Sequence, residues 1–467
     1  FWKSHVRMKL WGKALLTGCL AVVALAQSKP PGPKRFPTLF PPWPPQWDLQ
    51  RSTIAQPCNY SGWFDPTLAA SFGIISFDWA NNKNSWWNKS VPKPDAEDLV
   101  EQARLVKAIS NETKVWVYRQ AQGPAPVGAQ TTEVRNDPKF DGFFLKYPNG
   151  TDLPGGWNHT MFDFRNDTLV EWFGREYIGG DMCVGSPLVD GFFADDAYGL
   201  GAPDSPDHSP VVNISQLTPQ DVEKWNEGQL KALILAQNLA VKDYNAWNWQ
   251  NMEPMCIPGH DDPCPNGWVG MNAPNQKSCL NGGADQAHGK GFAGLRALCT
   301  DKEGGERARN IPWLMHIWNN KIAEEGRFPG QGSCTESGDC EHDTCEADGG
   351  GVHCASSITD IRQRIAAFLL ARGEYAWMGY NWMGCAGSDH SRGGFVDGAR
   401  WQRPSEWDPL GAMKLDFGNG GKPLDPICRE VSDGIFERRF EKIVVRLDCN
   451  EWKASFLARN DTTRSSA

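Results

Sequence analysis

The chain has 467 residues, a mass of 51.9 kDa, 40% hydrophobic residues, a mean hydropathy of −0.50 and a net charge of −9. That length fits one large barrel-type domain with insertions, or two to three ordinary domains, and the apolar fraction supplies a sizeable core. An acidic chain without Lys/Arg blocks is a poor nucleic-acid binder, with none expected as partner, and lacks the polybasic patch that holds a protein to an anionic membrane.

The first elements in the chain are targeting signals. Met8 reads as the initiator, with residues 1–7 upstream of it. Lys9 and Lys13 form a basic start, 14–24 is an apolar run too short to span a bilayer, and Ala24-Leu25-Ala26 is a small-residue cleavage pattern. The expectation is a signal peptide over 1–26, a secreted or lumenal protein, and no membrane span. Eight N-x-S/T sequons agree with a glycoprotein: Asn59, Asn88, Asn111, Asn149, Asn158, Asn166, Asn213 and Asn460. With Cys19 removed, thirteen cysteines are left, eight of them between Cys256 and Cys354. In an oxidising compartment they predict a disulfide-stapled insertion over 251–355, with one thiol left over. A zinc site is the weaker reading, because no C-x-x-C pair occurs.

Residues 27–57 are Pro-rich and read as an extended leader or strap. From 58 onward, short apolar runs alternate with amphipathic stretches, the pattern of repeated βα units around a parallel sheet. GIISFDWA (73–80) predicts a strand. DAEDLVEQARLVKAI (95–109) predicts a helix with Leu99, Ala103, Val106 and Ile109 on one face. KVWVYRQ (114–120) is the next strand and HTMFDFRN (159–166) a third, running into a helix over TLVEWFGREYI. LVDGFFADDAYG (188–199) is the clearest strand. Thr218 then caps a helix reaching about Lys242, with Pro219 at its first position. YNAWNWQNM (244–252), IPWLMHIW (311–318) and EYAWMGYNWMG (374–384) are further strands, the last preceded by a helix over 358–373. The segments 436–449 and 452–458 have no helix between them and predict antiparallel strands in a terminal element over 431–467. Seven or eight βα units over 58–430 predict an α/β fold, a (β/α)8 TIM barrel. No G-x-G-x-x-G follows the first strand, so a dinucleotide fold lacks its fingerprint.

A barrel places its active site at the C-terminal ends of its strands. Four strand ends carry carboxylates: Asp78, Asp163, the pair Asp195-Asp196, and Glu253. Others carry Trp79, Tyr118, Arg119, Trp249, Asn381 and Trp382, which can hydrogen-bond or stack. Carboxylates beside Trp rings suit glycoside cleavage, which needs a general acid, a second carboxylate as nucleophile or base, and flat apolar surfaces for the sugar faces. The 22 Trp against 8 Tyr fit the same need, although each Trp taken singly is equally at home in a core. Asp78 and Asp163 stand equally as caps of the following helices. The adjacent Asp195 and Asp196 are more specific, since two carboxylates at the end of a buried strand repel and a cap needs one. Nine His, none at a strand end, argue against metal-dependent hydrolysis, so no metal and no cofactor is expected.

LVDGFFADDAYG, preceded by FDFRND and followed by a long helix, resembles the hypothetical glycosyl hydrolase family 15. So does the Gly/Pro turn of 418–423 followed by GIFERRFEKIVVRLDC. The resemblance runs in scattered motifs from about Gly73 to Phe456. It implies a (β/α)8 barrel acting on a polysaccharide or glycan, with Asp195 on the fourth strand as catalytic carboxylate. The family's second carboxylate has no matching motif here, which leaves Glu253 or Asp389 for the acid. Glu253 follows a strand carrying Trp247 and Trp249, surroundings that can desolvate a carboxyl group, and is preferred over Asp389 in its wetter Gly/Ser loop. The alternative is a carbohydrate-binding or extracellular structural protein on a barrel that has lost catalysis.

Overall fold

The computed structural model describes residues 40–57, 63–79, 81–82, 95–123, 134, 137–153, 160–195, 197, 199–200, 217–250, 269–283, 292–300, 312–317, 343–348, 351–356, 361–383 and 420–459. Eight strands form one all-parallel sheet: β1 (Thr53–Pro57), β2 (Ile74–Phe77), β3 (Lys114–Gln120), β4 (Gly191–Asp195), β5 (Trp247–Gln250), β6 (Val269–Asn272), β7 (Trp313–Ile317) and β10 (Ala376–Met383). Between β7 and β10 in sequence lies an antiparallel hairpin of β8 (Asp343–Asp348) and β9 (Gly351–Ser356). The spatial order is β5-β4-β3-β2-β1-β10-β7-β6, with the first and last strands, β1 and β10, paired. Among the described residues β5 and β6 share no ladder, so the sheet is a curled one with its seam there.

The helices alternate with the strands and cover one face. They are α1 (Pro66–Ala69), α2 (Asp95–Ile109), α3 (Asp167–Trp172, running into a π-turn over Phe173–Ile178), α4 (Pro219–Asp243), α5 (Gln276–Cys279), α6 (Leu295–Leu298) and α7 (Ile361–Ala371). Helix α2 has the bounds its sequence predicts. Leu99, Ala103 and Val106 are buried, but Ile109 in the last turn is 53% exposed because the apolar stripe has already turned away from the sheet. Helix α4 opens on a capping box between Thr218 and Asp221, with Pro219 where its missing N–H costs nothing. Its stripe Trp225, Gln229, Ala232, Leu233, Ala236 and Ala240 is buried against the sheet layer.

Three expectations change. The stretch expected as a leader ends in a strand: Thr53–Pro57 is fully buried and sits between β2 and β10. The Cys-rich insertion contains a strand of the sheet, β6, as well as α5 and α6. Residues 160–166, expected as the third strand, join no ladder of the parallel sheet. They are extended beside 143–145 through an antiparallel Phe144↔Phe162 bridge, and Phe162 and Phe164 pack edge-on among Phe173, Tyr177 and Trp225. Apolar alternation marked the segment as extended without saying which sheet it joins.

The C-terminal element is a four-stranded antiparallel sheet of β11 (Arg429–Ser432), β12 (Ile435–Arg439), β13 (Ile443–Asp448) and β14 (Lys453–Ala458). It packs on α7, where the buried Arg438 guanidinium donates to the carbonyls of Leu369, Leu370 and Arg372. Two disulfides also hold it. Cys279 at the end of α5 pairs with Cys449, and Cys299 after α6 pairs with Cys428. The insertion is therefore tied to the tail sheet rather than only to itself. In the β8–β9 hairpin, Cys345 and Cys354 stand opposite each other in register. Among the described residues Cys183 is the free thiol, and burial pushes its pKa up.

Candidate active site

Strand alternation sorts the residues expected to form a site. In register across β3, β4 and β5, Tyr118 faces Phe193 and Phe193 faces Trp249. The three rings touch: Tyr118 meets Phe193 edge-on at 5.8 Å between centroids, and Phe193 stacks on Trp249 at 4.4 Å. The same face carries Trp116, Gln120 and Asp195, and, through the β2 and β1 registers, Ser76, Ile54 and Gln56. The other face meets the helices, as where Trp313 packs on Phe368 of α7. The first face is therefore the concave, lumen side.

Asp195 ends β4. The four residues before it are buried, whereas Asp195 is half-buried at the strand's C-terminal tip. The Tyr118 hydroxyl donates to Asp195 Oδ2 at 2.9 Å, and Ala121 N–H donates to the Asp195 carbonyl at 2.7 Å. The carboxylate is thus fixed in direction by a phenol rising from a packed aromatic floor. Gln120, 3% exposed, is its register neighbour on β3. The motif D-G-x-x-x-D divides in two. Asp190, at the opposite end of the strand, accepts from Lys107 Nζ at 2.5 Å, Lys114 Nζ at 3.2 Å and Val115 N–H at 2.8 Å, which makes it a structural anchor. Gly191 follows because a Cβ there would lie 2.1 Å from the Trp247 carbonyl and 2.5 Å from Trp116 Nε1.

Asp78 directly follows β2, is 3% exposed, and continues the alternation of the lumen face. Its carbonyl accepts from Asn81 N–H at 3.2 Å and from Asn81 Nδ2 at 3.0 Å. Asn81 Nδ2 also reaches the Pro57 carbonyl at 3.1 Å, so this buried amide staples the tops of β1 and β2 together. Trp79 is partly buried against the core. Trp249 is 3% exposed, with Phe193 on its face, so it forms the floor rather than an open platform.

Two expected substrate contacts lie elsewhere. Arg119 occupies the helix-facing side of β3, because it alternates with Tyr118 and Gln120. Arg119 is 4% exposed, and its guanidinium donates to the carbonyls of Tyr118 at 2.8 Å, Tyr177 at 3.4 Å and Met182. It ties the strand to the π-turn. Asp163 forms a two-point pair with Arg165 at 2.8 and 2.7 Å, and Arg165 continues to Asp221 at 3.0 Å. These carboxylates hold the Arg165 guanidinium well above its ordinary pKa. The Thr218 hydroxyl, the Thr218 N–H and Arg165 bring Asp221 down to about 2. Asp163 is thus part of an ion triad locking the 160–166 loop to the start of α4.

Asp196, Glu253 and Asp389 lie outside the described residues, as do residues 1–39 and the sequons at Asn59, Asn88, Asn158, Asn213 and Asn460. Asn381 and Trp382 stand on β10 at the level of Gln56. The register runs Ala55↔Tyr380 and then Pro57↔Met383, so β10 carries one extra residue against Gln56. Asn111 and Asn149 are exposed, and Asn149 Oδ1 accepts from Thr151 N–H and its hydroxyl at 3.0 and 2.7 Å. Asn166 caps α3 through Thr168 N–H at 2.9 Å. Gln56 and Gln120 were not among the expected site residues. Alternation along VYRQ could have found Gln120, whereas TIAQP offers only a polar residue closing a short apolar run. Among the described residues, no group of three or more His, Cys, Asp or Glu is placed to hold a metal ion, and no helix is long and apolar enough to cross a membrane.

No family model matches the chain, and no curated protein matches it. Solved structures do. A cycloalternan-degrading enzyme from Trueperella pyogenes is similar at 11% identity and TM-score 0.39, over 82% of this chain and 47% of that one. A GH31 family sulfoquinovosidase from E. rectale is similar at 17% identity and TM-score 0.39, over 76% of this chain and 46% of that one. An Anoxybacillus α-amylase is similar at 12% identity and TM-score 0.39, over 86% of this chain and 87% of that one. The chain spans about half the length of the first two. By description the second is a GH31 sulfoquinovosidase and the third an α-amylase of a glycosyl hydrolase subclass.

Proposed function

We propose that the chain is a (β/α)8-barrel glycoside hydrolase cleaving glycosidic bonds of a polysaccharide or glycan, with Asp195 as the carboxylate at the anomeric centre. The observation that carries this reading is the 2.9 Å hydrogen bond from Tyr118 to a half-buried Asp195 at the C-terminal tip of an otherwise buried strand. That tip is where barrel enzymes keep their chemistry, and catalysis needs a carboxylate held in one geometry before substrate arrives. The circular strand order supports closure of the barrel between β5 and β6. The LVDGFFADDAYG and FDFRND motifs support the hypothetical glycosyl hydrolase family 15 as its family.

In this mechanism the C–O bond to the leaving group breaks as positive charge builds on the anomeric carbon. Asp195 meets that charge, as nucleophile or as base for the attacking water. A second carboxyl group gives its proton to the leaving oxygen, a role we assign to Glu253 with Asp389 as substitute. Asp196 is the companion of Asp195. Asp78 accepts hydrogen bonds from sugar hydroxyls beside Asn381 and Trp382. The Cys279–Cys449 and Cys299–Cys428 bridges support an oxidising compartment, hence a secreted glycoprotein.

The test is a hydrolysis screen over a polysaccharide panel and activated aryl glycosides. Asp195→Asn should abolish turnover with folding and sugar binding kept. Glu253→Gln should lose natural glycans yet keep much activity on aryl glycosides, whose leaving group needs no proton. Hydrolysis unchanged by Asp195→Asn would sink the assignment. Sugar binding by the wild type with no product from any substrate would make the barrel a binding module.

A further inference from the structure

Among the described residues, two side-chain amides leave both polar atoms buried and unpaired: Gln56 and Asn248. Asn248 alternates with Trp247 and Trp249 and lies on the helix-facing side of β5. Gln56 is different. It is 2% exposed, stands one residue from the C-terminal end of β1, and shares the lumen face with Tyr118 and Asp195. A buried amide with neither hydrogen bond made is costly to the fold, and in a native protein such a group calls for a reason, of which a functional role is one.

A second observation points to the same place. Opposite Gln56, β10 inserts one extra residue, so Asn381 and Trp382 together face a single residue of β1. Such bulges re-aim side chains and concentrate at barrel rims beside active sites. The local backbone is also held. Asn81 pins the Pro57 carbonyl to the turn after β2, which leaves Gln56 on a rigid strand end next to Asp78.

Resting on the glycosidase reading above, we propose that Gln56 is a specificity-determining residue that reads two adjacent hydroxyls of the bound sugar ring. Its Oε1 accepts from one hydroxyl and its Nε2 donates to the next. An amide presents an acceptor and a donor side by side, and adjacent ring hydroxyls can each donate or accept, so one amide can engage both. The subsite lies at β10, β1 and β2, on the same face of the sheet as the Tyr118–Asp195 pair two and three strands away on β3 and β4. A sugar lacking either hydroxyl leaves one end of a buried amide unpaired, which is how a polar site rejects an analogue more sharply than an apolar pocket can.

The experiment measures binding of methyl α-D-glucopyranoside, methyl α-D-galactopyranoside and methyl α-D-mannopyranoside to the full chain, alongside its Tm. The variants are Gln56→Met, which keeps the length and removes both polar atoms, and Gln56→Glu, which keeps the length and removes the donor. Both should bind the preferred glycoside roughly tenfold or more weakly. Gln56→Met should melt at or above the wild-type Tm, because it removes two unpaired buried groups. A structural glutamine predicts the reverse, so a lower Tm with affinity intact would overturn the proposal. Wild-type affinity in either variant would overturn it too, as would absence of binding by the wild type to all three glycosides. Asp195→Asn, run in parallel, separates the two ideas: hydrolysis surviving that change defeats the glycosidase reading whatever Gln56 does.

Discussion

Reduction of the two disulfides should release the C-terminal sheet from the insertion before the core of the parallel sheet melts. Cys279–Cys449 and Cys299–Cys428 span 170 and 129 residues of sequence. Closing a loop of that size removes chain entropy equivalent to about 5 kcal/mol from the unfolded state. The bridges are nested, so once one is formed the other closes only a ring of two short arms, each about twenty residues, for roughly 4 kcal/mol. These figures are ceilings, since native bridges in practice contribute about 2–5 kcal/mol. The sheet keeps other anchors when reduced: Arg438 on the α7 carbonyls, and Arg296 on Glu430 at 2.9 Å. We therefore expect Cys299→Ser with Cys428→Ser to lose about 2–4 kcal/mol. Calorimetry should show a Tm drop of several degrees, and hydrogen exchange should show lost protection in β11–β14 while β3 and β4 keep theirs. A reduced protein melting with the oxidised one would refute the reasoning. So would a peptide map pairing Cys279 and Cys299 with cysteines of the insertion.

Two further outcomes separate structure from chemistry. Asp190→Ala leaves Lys107 and Lys114 facing each other without their shared carboxylate and Val115 N–H without its acceptor; it should cost about 2 kcal/mol in urea unfolding. Activity per folded molecule should be unchanged, because Asp190 sits at the end of β4 away from Asp195; equal stability would remove it as an anchor. Asp221 has a folded pKa of about 2, below its ordinary value of 3.8. Its contribution is therefore present above pH 4 and lost as the pH falls toward 2. Asp221→Asn should flatten the dependence of Tm on pH over that window, and an acid limb identical to the wild type's would contradict the triad.

The elements whose apolar period is long enough to be unambiguous were legible in the sequence. Helix α2 and strand β3 have the bounds their residues predict, and the Thr218-Pro219 start of α4 is visible as a cap and a proline. Strand β1 was hidden for a physical reason. It has five residues, ends in proline and follows a Pro-rich run, so nothing local distinguishes TIAQP from the extended chain before it. Its strand character comes from β2 and β10 on either side, the latter more than three hundred residues further along the chain. Strand β6, with four residues, is shorter still and lies inside a Cys-rich stretch whose composition signals loops. The disulfide partners were out of reach as well, because a pairing across 170 residues depends on where α5 and β13 end up, not on spacing.

The site residues divide along a finer line. A strand end names its polar residues but not their faces, and parity decides which of them meet. At the end of β3, Tyr118 and Gln120 point into the lumen and Arg119 between them points to the helices, where three backbone carbonyls hold it. On β4, Asp195 shares parity with Phe193, whose ring touches Tyr118, so the Tyr118–Asp195 contact follows from two alternations in register. The same rule carries Gln56 and Ser76 to that face and Asn248 away from it. Asp163 obeys no such rule because its segment joins no ladder of the parallel sheet; its carboxylate answers to Arg165 and the cap of α4 instead. Parity within a ladder thus separates lumen groups from anchors on β3, β4 and β5, and a carboxylate outside any ladder has to be judged from its ion partners.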